Sequence, residues 1–165
     1  MAYNTSSGGG GNSASFSVQL SANQAAVTGN NTQYKIPYNL ILFDTASGWT
    51  ASPNYFYTFP FTGNYQLSVR TFLYTSSGVN TSTQFFQWAS YNGAAYPGDR
   101  FSDLDPGNLG LTVNGEFLFT QSWVHAATAG DTVSVLIDCL GGTLNVGAGG
   151  GAAGSPACIF SGYLI

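Results

Sequence analysis

Apolar and polar positions alternate with a period of two along most of this chain, and no segment of helical length spaces its apolar residues for a helix. Phe16, Val18 and Leu20 share one face of a first strand. After a polar turn at residues 29–32, Tyr34, Ile36, Tyr38, Leu40 and Leu42 give a second alternation. Pro37 interrupts it, and its missing N–H favours a sheet edge or a bulge. Phe56, Thr58, Phe59 and Phe61 run into the turn Thr62-Gly63-Asn64, after which Tyr65, Leu67, Val69, Thr71 and Leu73 continue on a single face. Residues 76–82 form a turn cluster, and residues 85–91 form a strand ended by the tight-turn pair Asn92-Gly93. Residues 94–110, with Pro97 and Pro106, are expected to be a loop. Strands follow over 111–113, 117–124 and 132–139, with Ala129-Gly130-Asp131 as the turn before the last of these. A Gly-rich stretch at 141–154 leads to a closing alternation over 160–165. Eight or more short strands with Gly-rich turns predict an all-β fold, a two-sheet antiparallel sandwich of jelly-roll type. Residues 1–14, with four successive glycines at 8–11, are expected to be a flexible arm before a single domain over 15–165.

Composition changes this picture mainly at the surface. Seven acidic and three basic side chains make 6% of the 165 residues, so solubility rests on Ser, Thr, Asn and Gln. Twelve Phe, ten Tyr and three Trp supply more apolar surface than one thin core needs, and self-association is an outlet for the surplus. The net charge is −4, and Lys35, Arg70 and Arg100 are scattered, so nothing forms the basic stripe that nucleic acid requires. No apolar run is long enough to cross a membrane, and residues 1–7 lack the basic start and apolar stretch of a secretion signal. Without secretion the sequons at Asn4, Asn30 and Asn80 carry little meaning.

Several short pieces, in order along the chain, resemble the globular head of complement component 1q and the related tumour-necrosis-factor-like jelly rolls. They are residues 16–20, residues 36–44 ending in Phe43-Asp44, and Phe61-Thr62-Gly63-Asn64-Tyr65. Ala129-Gly130-Asp131-Thr132-Val133 and Phe160-Ser161-Gly162-Tyr163-Leu164 are the most telling. The family's Pro-Gly before the Tyr is Thr62-Gly63-Asn64 here, and no collagen repeat precedes the domain. The resemblance implies a homotrimer with aromatic and aliphatic strand faces at the threefold axis. Phe16, Tyr65, Trp88, Trp123, Phe160 and Tyr163 are expected on the core and trimer strands.

Candidate chemistry is sparse. His125 is the only histidine and follows an apolar run, which favours a structural role, and no nucleophile-elbow or phosphate-loop pattern is present. No enzyme is expected. Four of the ten charged residues fall at positions 99–105. Asp99, Asp103 and Asp105 with the amide of Asn108 offer oxygen ligands to calcium, although a solvated loop with Arg100 paired to a carboxylate is the plainer expectation. Some members of the resembled family bind calcium, and no other cofactor is expected. Cys139 and Cys158 are expected to be buried free thiols, with a bridge across the Gly-rich stretch as the alternative.

The functional expectation is a structural protein, a trimeric capsid decoration or cement subunit on the exterior of a virus, most simply a bacteriophage. It would be made in the host cytoplasm and contact the major capsid protein or other virion subunits. It is motivated by a chain that starts at Met1 without stalk or signal, by the short arm, and by the charge-poor polar exterior. The alternatives are a receptor- or glycan-binding head using loop aromatics such as Trp49, Tyr91 and Tyr96, and an extracellular complement-like module.

Overall fold

A computed structural model of the chain describes residues 12–28, 32–74, 84–94, 100–104, 117–142, 144–146 and 158–165. Among these residues there is no helix. The strands are β1 (Ser15–Gln19), β2 (Gln24–Thr28), β3 (Tyr34–Lys35), β4 (Leu40–Asp44), β5 (Trp49–Thr50), β6 (Phe56–Thr58) and β7 (Gly63–Tyr74). They continue with β8 (Gln84–Tyr91), β9 (Arg100–Leu104), β10 (Phe117–Ala127), β11 (Thr132–Leu140), β12 (Leu144–Val146) and β13 (Ile159–Leu164). Every pairing is antiparallel. One sheet runs β2-β12-β7-β13-β1-β4, with β10 along the other edge of β7. The second runs β5-β6-β11-β8-β9, with β3 also paired to β11. The expected two-sheet antiparallel sandwich is therefore the fold.

Strand β7 shows how period-two patterning builds it. Tyr65, Leu67, Val69, Thr71 and Leu73 are buried between the sheets, and Asn64, Gln66, Ser68, Arg70, Phe72 and Tyr74 point the other way. The aromatic centre of the core is Phe160 on β13. Phe16 meets it edge-on at 5.0 Å, Trp49 at 6.2 Å, and Tyr38 lies tilted at 6.0 Å. Phe16 also stacks on Tyr57 at 3.9 Å, tying β1 to β6 of the opposite sheet. Such ring pairs add about 0.5–1.5 kcal/mol each beyond the area they bury. Gly162 makes room for the side chains of its neighbours on either side in the sheet: a Cβ there would stand 2.5 Å from Leu67 Cδ2 and 2.8 Å from Phe16 Cε1. The turn after β8 is as expected, with Asn92 and Gly93 both left-handed at φ 52° and 72°.

Four expectations change. The alternation over 34–42 is not one strand: β3 belongs to the six-stranded sheet and β4 to the other, with Ile36 and Tyr38 buried at the crossing. Pro37 has no N–H to continue a ladder, so the chain leaves one sheet there and joins the next. Residues 100–104, expected in a loop, form β9. Strand β2 lies in a stretch where the pattern predicts no element and β12 in the Gly-rich stretch; they pair with each other, and β12 also extends along β7. The sheet also takes in Ala14, which is buried and accepts a hydrogen bond from Leu164 N at 2.9 Å. The strand expected at 111–113 lies outside the described residues.

Candidate functional site

The face of the seven-stranded sheet turned away from the core is the first candidate. Register aligns Ser17 of β1 with Ser161 of β13, Ser161 with Ser68 of β7, and Ser68 with Ser122 of β10. Four serines thus form one row across four adjacent strands, and Ser122 Oγ donates to Ser68 Oγ at 3.0 Å. The flanking rows are apolar or mixed. One carries Tyr163, Gln66 and Val124, the other Ile159, Arg70 and Thr120, and Phe72 faces Leu118 beyond them. Leu118, Val124, Tyr163 and Ile165 are each about half exposed or more. At the sheet's edge Leu40, Ile41, Leu42 and Phe43 of β4 are all exposed, a run that soluble monomers rarely show. Arg70 Nε on this face is buried without a hydrogen-bond partner. Short hydroxyl side chains leave a shallow surface that a second backbone layer can approach, and the apolar flanks gain by leaving water.

The six-stranded sheet presents a different outer face. Phe86, Trp88 and Leu136 are buried there as a cluster separate from the main core. Beside it, β6 and β3 pair in succession with the same edge of β11, β6 at Thr132 and Val133, β3 at Leu136 and Ile137. The seam between them opens a cleft of about 270 Å³ lined by Lys35, Asn54, Phe56, Asn92, Gly93, Thr132 and Ser134. Lys35 Nζ donates to the Asn54 carbonyl at 3.2 Å. Asn92 is held as a rigid wall: its Nδ2 donates to Asp131 Oδ1 at 3.0 Å and its Oδ1 accepts from Thr132 N at 2.8 Å.

Several titratable groups are tied into the fold. Asp131 accepts from Thr128 N at 2.9 Å and from Asn92, and these bonds, aided by nearby His125, hold its carboxyl below the usual range. His125 stacks on Tyr91 at 3.8 Å, whose hydroxyl accepts from Trp123 Nε1 at 2.8 Å. Asp138 is 1% exposed, and burial raises its carboxyl, partly offset by a backbone bond at Cys139. Cys139 and Cys158 are both buried thiols with no disulfide between them. Burial pushes the Cys158 thiol up to about 12, and its sulfur accepts from Phe72 N at 3.2 Å.

Among the expected site residues, Phe16, Tyr65 and Phe160 are core, Trp88 joins the second cluster, and Trp123 packs half-buried between the sheets, parallel to Phe160 at 6.5 Å. Tyr163 stands exposed on the serine face. Trp49 is corrected: at 7% exposure, inside β5 and against Phe16, its ring has no face to offer a glycan. Tyr91 is half-buried and committed to His125 and Trp123, and Tyr96 lies outside the described residues. Asp99, Asp105 and Asn108 also lie outside them. Asp103 is placed only by its backbone, opposite Phe86 in β9, and among the described residues no acidic, His or Cys group of three gathers as for a metal. The serine row and Lys35 with Ser134 were missed. Serine between apolar neighbours, as in Phe16-Ser17-Val18, marks an outward position, but only register shows that four of them align.

The architecture defines a class, the two-sheet jelly roll, and the comparisons agree. Neither a family model nor a curated protein matches the chain. Solved structures do. The globular domain of zebrafish complement 1qA protein superposes with a TM-score of 0.56 at 16% identity, covering 93% of this chain and 98% of that one. Murine APRIL at pH 8.0 superposes with a TM-score of 0.59 at 11% identity, covering 93% and 100%, and the same protein at pH 5.0 gives 0.58. The chain therefore has a jelly-roll fold of the complement-1q and tumour-necrosis-factor-like kind.

Proposed function

We propose that this chain is a non-enzymatic, homotrimeric jelly-roll module that associates through the outward face of the seven-stranded sheet. The observation that carries this is the serine row flanked by exposed Leu118, Val124 and Tyr163, with the unpartnered Arg70 Nε among them. Its working place is the exterior of a virus particle, as a capsid decoration or cement subunit beside the major capsid protein. Charge-poor polar composition supports that placement. Cement acts by mass action, because contacts made only on the assembled shell stabilise the shell. Light scattering on the purified chain tests the trimer, with a mass near three chains expected and a stable monomer overturning it. Mixing with stripped particles tests the placement, and saturable uptake is expected.

The cleft beside β11 favours a second reading, a receptor- or glycan-binding head of a virus or an extracellular module. It lies on the face opposite the serine row and stays open when that row is covered. Uptake by cells rather than by particles is the outcome this reading expects.

A further inference from the structure

We propose that the cleft between β3 and β6 binds a carboxylated sugar, a uronic or sialic acid at the end of a surface glycan; this deepens the binding-head reading and rests on it. Three features of the cleft converge on that ligand.

Its one charge is Lys35, whose ammonium carries three donors and spends one on the Asn54 carbonyl. Among the described residues Lys35 has no carboxylate partner. The chain holds only three basic residues in a net charge of −4, so no broad positive field gathers polyanions, and a phosphate would find one cation where it is better held by several. A single carboxylate matches a single ammonium.

The floor supplies hydroxyls. Thr132 and Ser134 of β11 face the cleft, and no other described residue takes up either hydroxyl. Each both donates and accepts, which suits the vicinal hydroxyls of a sugar ring. Ser134 lies between the β6 pairing at Val133 and the β3 pairing at Leu136, and at 3% exposure it forms the floor of the cleft rather than its rim.

The third feature is shape. Phe56 is an apolar wall for the C–H face of a pyranose, and the Asn92-Gly93 turn, pinned by Asp131 and Thr132, closes the end. About 270 Å³ lies just below the usual range for small-molecule sites and suits one sugar unit. A site this small binds weakly on its own. Three copies opening away from the serine face of a trimer would raise avidity by about 10²–10⁴ on a glycan-coated surface.

The test is an NMR titration of the full chain with methyl glucuronide, N-acetylneuraminic acid, methyl glucoside and sodium acetate. Amide shifts at Lys35, Thr132 and Ser134 with the two acids, stronger than with glucoside or acetate, are expected. Lys35→Gln keeps the side chain's stem and is expected to weaken acid binding about tenfold to a hundredfold, with Ser134→Ala weakening it less. Silence at the cleft with both acids, equal binding of the glucoside, or acetate alone reproducing the effect would each overturn the proposal. Cells that take up the protein while the cleft stays silent would sink this inference and leave the binding-head reading standing.

Discussion

The two outer faces of the sandwich solve opposite problems with the same strand alternation. On the seven-stranded sheet the outward positions carry a row of serines, half-exposed apolar side chains and, among them, Gln66, Arg70 and Thr120. On the six-stranded sheet the outward apolar residues Phe86, Trp88 and Leu136 are buried, and the part left open is a cleft with an ammonium and two hydroxyls. In the proposed reading the first face takes another copy of the chain, and the second, with its cleft, takes something small. A charge-poor chain can hold both because its polarity is carried by hydroxyls and amides, which can be desolvated at far lower cost than ions.

That contrast breaks first where both faces share a support. Phe160→Ala removes the ring on which Phe16, Tyr38 and Trp49 converge and is expected to cost about 3–5 kcal/mol in urea unfolding. A loss below about 1 kcal/mol would mean that the sheets do not depend on this junction. The next test separates the faces. Val124→Asp places a charge in the proposed interface and is expected to lower the light-scattering mass from three chains to one, because a buried unpaired charge costs several kcal/mol. Lys35→Glu, on the cleft side, should leave the mass unchanged; dissociation by that change would exchange the roles of the two faces.

A third expectation concerns the interior. With its thiol pushed to about 12 and the side chain buried, Cys158 should not react with a thiol reagent at pH 8 in the native state and should react fully in denaturant. Rapid native labelling would show that the sheet opens near β13.

The smallest effects are two carboxylates of opposite sign. Asp131 has a lowered folded pKa, so it contributes stability above the ordinary carboxylate range that is lost as pH falls through the folded value. Asp138 has a raised one, so the fold is favoured while it is protonated and loses that advantage as pH rises from the ordinary range through the folded value. Thermal melts are expected to show Asp138→Asn more stable than the parent at pH 7 and level with it below about pH 4, where both forms are neutral. Asp131→Asn is expected to be less stable at pH 7 and level in acid. The same sign for both would mean that burial does not set Asp138.

Much of this was legible in the residues, and the failures have physical causes. Alternation located β1, β7, β10 and β13, and apolar-rich runs bounded by turns located β8 and β11, which are buried on both faces. It failed over residues 34–42, where the period of two persists while the chain changes sheets, since periodicity records burial and not partnership. Strands β2 and β12 escaped because pairing, not side-chain character, makes them strands. The site was harder. Trp49 looked like a loop aromatic because its neighbours Gly48, Thr50 and Ser52 are polar or small, yet Phe16, Tyr38 and Phe160 enclose it from elements far away in sequence. Conversely the cleft gathers Lys35, Phe56, Asn92 and Ser134 from four strands and turns, a proximity no local motif encodes.

The neighbour relation between β1 and β13 has a consequence for the timing of synthesis. Phe16 and Val18 leave the ribosome early, yet their partners Gly162 and Phe160 are made roughly 140 residues later. At about 5–20 residues per second that is a wait on the order of ten seconds, during which an apolar strand has a partner for one edge only, β4, and the edge that β13 will cover stays open. The serines and glutamine that alternate with those apolar residues keep the waiting strand from being a continuous sticky ribbon. The same outward hydroxyls that line the proposed interface therefore first serve as gatekeepers for a strand whose second edge has nothing yet to pair with.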